Sequence, residues 1–173
     1  MTEYIEHHAF TSVLSPNQHG INDLLLATHY LRIYNGCEFG CPYCDGWSYA
    51  DRPINESIRI AVDLPERFAE DLSRIQPGSV IGLVFGESYQ PAESHYRITR
   101  RTLEMLAARQ QSCVILTKSP RIVEDLPLLQ EINRRAFAIV TATVVTVDES
   151  LTQLLEPEAP PVARRIEAVT RLK

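Results

Sequence analysis

Residues 79–117 read SVIGLVFGESYQPAESHYRITRRTLEMLAARQQSCVILT, and this stretch predicts a strand, a helix and a second strand. Ser79–Phe85 and Ser112–Thr117 are nearly continuous apolar runs, which are typical of strands buried on both faces of a sheet. Pro91–Arg109 lies between them and is predicted to be the helix that connects them. The stretch therefore predicts one unit of a parallel sheet with right-handed crossovers.

The same order of strand, loop and helix continues on both sides of this unit. We expect strands over 30–34 and 137–145, and helices that begin at 63–66 and end before 77, and over 121–134, 150–155 and 162–172. Residues 1–28 lack such a pattern and are predicted to be an irregular N-terminal extension. The order occurs four times, so the sequence predicts the α/β class with a parallel sheet.

The composition excludes several classes of protein. The length of 173 residues suits one domain, and 45% apolar with 23% charged residues excludes a disordered or collagen-like chain. No run approaches the roughly 18 apolar residues of a membrane helix. The first residues, MTEYIEHHAF, do not read as a secretion signal, so we expect a cytoplasmic protein without a membrane partner. The net charge of −5 argues against broad nucleic-acid binding.

Three of the four cysteines lie in the segment NGCEFGCPYCDG at 35–46, with Cys-x3-Cys-x2-Cys spacing. Its glycines and proline predict a loop, and clustered thiols in a reducing compartment indicate metal or redox chemistry. A structural zinc site takes four protein ligands, and here the fourth would have to be His29 or His95 from outside the loop. An iron–sulfur cluster on three thiolates would leave one iron open to a substrate or cofactor.

Ligands of parallel α/β folds bind beyond the carboxyl ends of the strands, so the residues that follow each predicted strand are candidates for a site. These segments are the cysteine loop, Gly86-Glu87-Ser88, Thr117-Lys118-Ser119 and residues 143–148.

The cysteine loop resembles the cluster loop of the radical S-adenosylmethionine superfamily in its spacing, in the aromatic residue before the last cysteine and in its place after a first strand. Further segments resemble the branch of that superfamily related to spore photoproduct lyase. They are Tyr89-Gln90-Pro91-Ala92-Glu93 with Thr99-Arg100, Thr117-Lys118-Ser119, and Leu155-Glu156-Pro157 with Arg165 downstream. The similarity extends from about Leu14 to the last residue.

The resemblance implies a partial parallel (β/α) barrel at 29–173, with about four of the superfamily's six units. It implies two cofactors, a [4Fe–4S] cluster and S-adenosylmethionine. One electron from a flavodoxin- or ferredoxin-like reductant would cleave S-adenosylmethionine to a 5′-deoxyadenosyl radical that abstracts hydrogen from a substrate. Carried over by position, the cluster ligands are Cys37, Cys41 and Cys44. The positions toward S-adenosylmethionine are Tyr43 at the adenine, Gly86 and Glu87 at the amino group, Lys118 at the carboxylate, Thr143 nearby and Glu156 at the ribose.

Each assignment has a structural alternative. The three cysteines could hold zinc in a scaffold or binding module, or a cluster in a fragment without turnover. Glu87 could cap a helix, Lys118 could be a surface lysine, and Thr143 could be only a β-branched strand residue. Cys113, alone in an apolar run, is expected to be a small buried hydrophobe.

Two features depart from the family. The related lyase has a hydrogen-donating cysteine at the end of its second strand, where this chain has an apolar residue, about Val84. Cys113 lies on a different predicted strand, so DNA repair of the lyase type is not expected. The chain also holds only four units, which implies a fragment of a longer product or a half-barrel completed by a second chain or a missing C-terminal half. The sequence names neither a substrate nor a catalytic hydrogen donor.

Overall fold

The computed structural model describes residues 2–17, 26–48 and 53–173. Its strands are β1 (Glu3–His7), β2 (Leu14–Pro16), β3 (His29–Leu31), β4 (Ser57–Ala61), β5 (Val80–Leu83), β6 (Ser112–Thr117) and β7 (Ala138–Ala142). Its helices are α1 (Leu64–Leu72), α2 (Glu93–Tyr96), α3 (Ile98–Arg109), α4 (Leu126–Asn133), α5 (Glu149–Leu155) and α6 (Val162–Leu172). Short 3₁₀ helices lie at Asp45–Ser48 and Pro120–Asp125.

One sheet has the strand order β2-β3-β5-β6-β7. β3, β5, β6 and β7 are parallel, which confirms the predicted α/β class, and β2 is an antiparallel edge strand. Val80 lies opposite Ser112, and Cys113 lies opposite Ala138. Because these strands are parallel, the loops that follow them meet at one edge of the sheet, where the cysteine loop also lies.

The prediction that residues 1–28 are irregular is wrong for β1 and β2; residues 1 and 18–25 of that range lie outside the described residues. β1 pairs in parallel with β4, from Glu3 opposite Ser57 to His7 opposite Ala61. The buried Asp71 carboxylate of α1 anchors the start of β2, because its Oδ2 accepts hydrogen bonds from the N–H groups of Val13 at 2.8 Å and Leu14 at 3.1 Å. Contacts with distant residues thus order a segment that lacks a local pattern.

Two predicted helices are interrupted. The helix expected over 91–109 divides at Arg97, whose φ is +55°. Glu93 explains the break, because its carboxylate accepts the N–H groups of Thr99 at 2.9 Å and Arg100 at 3.0 Å and so caps α3. The helix expected over 121–134 begins as the 3₁₀ turn at Pro120–Asp125 and becomes α4 only afterwards.

Three predicted strands are shorter than expected, and one of them is β5, which covers Val80–Leu83 within the predicted 79–85. β3 ends at Leu31 rather than Tyr34, because Asn35 leaves the sheet to bridge Arg59 of β4 through backbone hydrogen bonds of 3.1 and 2.8 Å. β7 covers Ala138–Ala142 within the predicted 137–145.

The two faces of the sheet differ. The larger core fills the face toward the helices and includes Cys113, which has no exposed surface. A small cluster of Val80, Val84 and Val114 lies apart from that core, packed with Tyr30 and Leu116. Side chains alternate along strands, so this cluster belongs to the inner face, which a barrel would enclose. No helix in the described ranges is long and apolar enough to cross a bilayer.

Candidate functional site

The cysteine loop folds against the chain before β4. The N–H of Cys37 donates to the Ile54 carbonyl at 2.7 Å. Gly36 has a φ of +108°, and a Cβ there would lie 2.6 Å from the Ser57 carbonyl oxygen. Gly40 has a φ of +50° and packs against Asn55, 2.7 Å from the position of an added Cβ. Conformation and space therefore both favour glycine at Gly36, whereas at Gly40 the reason is mainly the crowding by the Asn55 side chain, since Arg97 adopts a similar φ in this chain.

Glu38 and Gln90 brace this loop from the other side. The Glu38 N–H donates to Gln90 Oε1 at 2.8 Å, and Glu38 Oε1 accepts the Ala92 N–H at 2.7 Å. Gln90 Nε2 donates to the Gly36 carbonyl at 3.4 Å, and the Gln90 side chain is fully buried. The Tyr-Gln-Pro segment after β5 thus has a definite task, which is to hold the cysteine loop in place.

The three loop cysteines are free thiols in different surroundings. Burial raises the pKa of the Cys37 thiol to about 12 and also raises the pKa of Cys41. Cys44 Sγ accepts a hydrogen bond from the Gly46 N–H at 3.3 Å. Trp47 Nε1 donates to the Cys41 carbonyl at 2.8 Å and closes the end of the loop.

A cleft of about 370 Å³ opens beside these thiols at the carboxyl edge of the sheet. Cys37, Cys44 and Gly86 line it, together with the exposed side chain of Phe85. Gly86 has a φ of +72°, and a Cβ there would lie 3.3 Å from the Tyr34 carbonyl oxygen. The end of β5 therefore approaches the cysteine loop through its bare backbone.

Glu87 is wholly engaged by the protein. Its Oε1 accepts the Thr117 hydroxyl at 2.5 Å and the Tyr89 N–H at 2.9 Å, and its Oε2 accepts the Lys118 N–H at 2.8 Å. Burial raises the pKa of Glu87, and these three donors act against that rise. The carboxylate joins the ends of β5 and β6, a task that sequence reasoning did not assign to it.

A second carboxylate, Glu156, contacts residues of the cysteine loop, of the loop after β6 and of α6. Its Oε1 accepts the Tyr43 hydroxyl and lies 3.7 Å from Lys118 Nζ, and its Oε2 accepts Arg165 Nη1 at 2.5 Å. Lys118 Nζ also lies 5.5 Å from the centre of the Tyr43 ring. Burial and the Glu156 hydrogen bond raise the pKa of Tyr43, so the phenol keeps its proton.

The remaining predicted residues are dispersed. Thr143 is half-buried, and its backbone N–H donates to the Thr117 carbonyl at 3.1 Å. Cys113 lies near the start of β6, at the end of the sheet opposite the cleft. His29 begins β3 beside the Thr28 hydroxyl, and His95 contacts the Tyr96 ring edge to face. Within the described residues, neither histidine joins the thiols in a metal-binding group.

The cysteine loop and the strands from β4 to β7 match a known family. The family model of the radical S-adenosylmethionine (radical SAM) superfamily matches residues 31–173. The chain belongs to the radical SAM superfamily. Radical SAM enzymes use a [4Fe–4S] cluster and S-adenosylmethionine, and they generally need an electron donor.

A solved structure supports the same fold. It is described as spore photoproduct lyase complexed with dinucleoside spore photoproduct, and it matches this radical SAM chain with a TM-score of 0.70 at 12% identity. The match covers 98% of this chain and 47% of that chain, so the present sheet corresponds to part of a barrel, as predicted. No curated protein sequence matches the chain. Completion of the barrel by a second chain or by further strands stays a prediction.

The donor atoms near the cleft are of the type that a radical SAM cluster takes, because Cys37 and Cys44 line the cleft and Cys41 lies on the same loop. Three thiols lie on one glycine-folded loop, and a backbone N–H already donates to one sulfur, an interaction that tunes iron–sulfur clusters. As the side chains lie, no three Cys, His, Asp or Glu residues of the described chain are arranged to hold a metal ion. The roles of Cys37, Cys41 and Cys44 as ligands therefore stay predictions.

Four of the six predicted contacts to S-adenosylmethionine fall into two groups, and Glu87 and Thr143 belong to neither. Gly86 lines the cleft of the thiols, whereas Tyr43, Lys118 and Glu156 form the second group around one buried carboxylate. The hydrogen bond between the Glu38 N–H and the Gln90 side chain could not be predicted from the sequence, because the two residues lie 52 positions apart and no spacing rule connects them.

Proposed function

We propose that this chain binds a [4Fe–4S] cluster through Cys37, Cys41 and Cys44 and takes part in the reductive cleavage of S-adenosylmethionine. The observation that carries the proposal is the position of the thiol loop, which borders an open cleft at the carboxyl edge of a parallel sheet. Three protein thiolates leave a coordination position free for a small molecule, which a closed structural site does not.

When bound, the cluster supplies one electron that cleaves the sulfonium of S-adenosylmethionine to a nucleoside radical able to abstract hydrogen from a substrate. The protein's own residues bind and orient S-adenosylmethionine and exclude water from it. Gly36 and Gly86 line the cleft, and their missing side chains let the cysteine loop and the end of β5 pack closely against neighbouring backbone. Lys118 has three N–H donors and only a loose ion pair of 3.7 Å, so it can receive an anionic group such as an amino-acid carboxylate.

The hydrogen donor of the related lyase has no counterpart at the end of β5. Val84 stands there on the inner face, 9% exposed, and Cys113 is buried in the helix-side core. We therefore assign no catalytic hydrogen donor within this chain and do not propose lyase-type DNA repair. A flavodoxin- or ferredoxin-like protein is the proposed source of the electron.

Anaerobic reconstitution with iron and sulfide tests the proposal. We expect about four irons per chain and a broad absorbance near roughly 400 nm. With dithionite, the loaded protein should convert S-adenosylmethionine to 5′-deoxyadenosine, detected by liquid chromatography.

Two cysteine variants give the matched comparison. Cys41→Ser should lose the iron, whereas Cys113→Ala should keep it, because Cys113 lies in the core away from the cleft. A protein that takes up one equivalent of zinc and no iron, or a Cys41→Ser variant that keeps a full cluster, would contradict the assignment.

A further inference from the structure

The two oxygens of Glu156 have different partners. Oε2 accepts Arg165 Nη1 at 2.5 Å, whereas Oε1 accepts the Tyr43 hydroxyl and lies 3.7 Å from Lys118 Nζ. One oxygen is thus anchored in α6, and the other contacts the cysteine loop and the loop after β6. Glu156 itself is 1% exposed, so it meets these groups away from solvent.

Arg165 is held rigidly. Its side chain is 1% exposed, its Nε donates to the Pro160 carbonyl at 2.7 Å, and its Nη1 also donates to the Thr143 carbonyl at 3.1 Å. Its Nη2 is buried and has no acceptor in the described part of the chain. A buried ion pair with an unsatisfied donor is a poor stabilising device, since an apolar pair of similar size would serve as well. Stability alone therefore does not explain this ion pair.

We infer that Glu156 and Arg165 are positioning residues, which hold Tyr43 and Lys118 in place for an amino-acid-type ligand beside the thiol loop. The inference rests on the proposed function, and it replaces the expected ribose contact of Glu156 with a role exerted through its neighbours. Arg165 holds the Glu156 carboxylate in place, and that carboxylate positions the Tyr43 phenol and the Lys118 ammonium. Neither Glu156 nor Arg165 contacts the ligand.

The charges support this arrangement. Two cations, Lys118 and Arg165, share the carboxylate of Glu156, and Lys118 holds only the longer of the two ion pairs, so a ligand carboxylate can become a closer partner of Lys118. Lys118 keeps donors free because its contact with Glu156 is long and its contact with Tyr43 is through the ring face. Without Glu156, the flexible lysine would lose its fixed position, and the Tyr43 hydroxyl would lose its acceptor.

The test measures binding of S-adenosylhomocysteine, which is not cleaved, to the anaerobically reconstituted full chain by calorimetry. Glu156→Gln and Arg165→Met should each weaken binding about tenfold, the effect of losing one hydrogen bond to a charged group. Arg165→Lys keeps the anchoring charge and should stay within about threefold of the parent protein. Tyr43→Phe should weaken binding about fivefold.

Tyr96→Phe is the matched control. It removes a tyrosine hydroxyl that also donates to a carboxylate, Glu6, at 2.9 Å, but at a surface pair outside the site, so binding should be unchanged. A spectroscopic readout separates positioning from general stability. Adding S-adenosylhomocysteine should change the electron paramagnetic resonance spectrum of the reduced cluster in the parent and in Arg165→Lys, but not in Glu156→Gln.

The outcomes distinguish the two proposals. A parent chain that takes up the cluster but binds no S-adenosylhomocysteine overturns the proposed function. A parent that binds it, with Glu156→Gln binding equally well, overturns the positioning role alone. Where Glu156→Gln does not fold, Tyr43→Phe decides: weakened binding against an unchanged Tyr96→Phe supports the role, and equal binding by both variants overturns it.

Discussion

Replacing Gly36 by alanine tests how the cysteine loop is built. The added Cβ would lie 2.6 Å from the Ser57 carbonyl oxygen and 3.0 Å from both the Ile54 carbonyl oxygen and Ile58 Cδ1. The φ of +108° is also unfavourable for any residue with a Cβ. Two of the three obstructing atoms are backbone, so the surroundings cannot yield by a simple side-chain rotation.

Gly78 supplies a control in the same chain. Its φ is +84°, but an added Cβ would meet nothing within 4 Å. Backbone strain should therefore lower the free energy of unfolding of Gly78→Ala by about 1–2 kcal/mol. Gly36→Ala carries a similar strain and an overlap that adds about 1–3 kcal/mol. We expect a total loss of about 2–5 kcal/mol for Gly36→Ala, and the difference between the two variants isolates the overlap.

Urea unfolding of the cluster-free chain, followed by far-ultraviolet circular dichroism, measures both losses. Iron per chain after anaerobic reconstitution then reports on the loop itself. Gly36→Ala should bind less iron, because the displaced residue adjoins Cys37, whereas Gly78→Ala should bind as much iron as the parent. Equal stability of the two variants, or a full iron content in Gly36→Ala, would refute the claim that close packing at Gly36 shapes the loop.

Three further variants test other contacts. Burial alone would raise the pKa of Asp71, but hydrogen bonds from Leu14, Ser12 and Val13 hold that pKa below its ordinary value. The ionised Asp71 carboxylate therefore stabilises the fold above the unfolded-state pKa, and this stabilisation is lost as the pH falls through the folded-state pKa. Asp71→Asn should accordingly flatten the decline in urea stability between about pH 5 and about pH 3, and an unchanged slope would contradict the reasoning. Gln90→Leu leaves the Glu38 N–H without its acceptor, so the free energy of unfolding should fall by about 2–3 kcal/mol together with the iron content, and parent-like values would argue against the brace. Thr117→Val keeps the shape but removes a donor to Glu87 and an acceptor of the Ser119 N–H, so a loss of about 1–3 kcal/mol is expected in the same unfolding assay. No loss would mean that these two hydrogen bonds do not stabilise the chain.

Much of the sheet could be predicted because its signals are local. The apolar runs that became β5 and β6 are buried on both faces, and such strands need no knowledge of their partners to be recognised. The cysteine spacing likewise identified the loop and, by resemblance, the superfamily to which the chain belongs. The carboxyl edge of the sheet was foreseen as the place of the site, because parallel strands must share that edge.

The wrong secondary-structure predictions occur where contacts with distant residues override the local conformational preference of the sequence. β1 is mostly exposed, so it carries little apolar alternation, and its order comes from pairing with β4 about fifty residues later. The helix over 91–109 looks continuous in sequence, but the Glu93 carboxylate caps the start of α3 and so divides the predicted helix in two. A capping carboxylate of this kind is chosen by three-dimensional proximity, which helix propensity does not report.

The sequence signal for the proposed chemistry is local, since the spacing of three thiols within eight residues is enough to predict a cluster loop. The partners of the buried carboxylates, in contrast, cannot be predicted from local motifs. Glu87 and Glu156 both follow strands or helices at the expected edge, yet folding gives one to Thr117 and two backbone N–H groups and the other to Arg165, Tyr43 and Lys118. A buried carboxylate takes whichever donors the packed chain brings within reach, and those donors come from segments far apart in sequence.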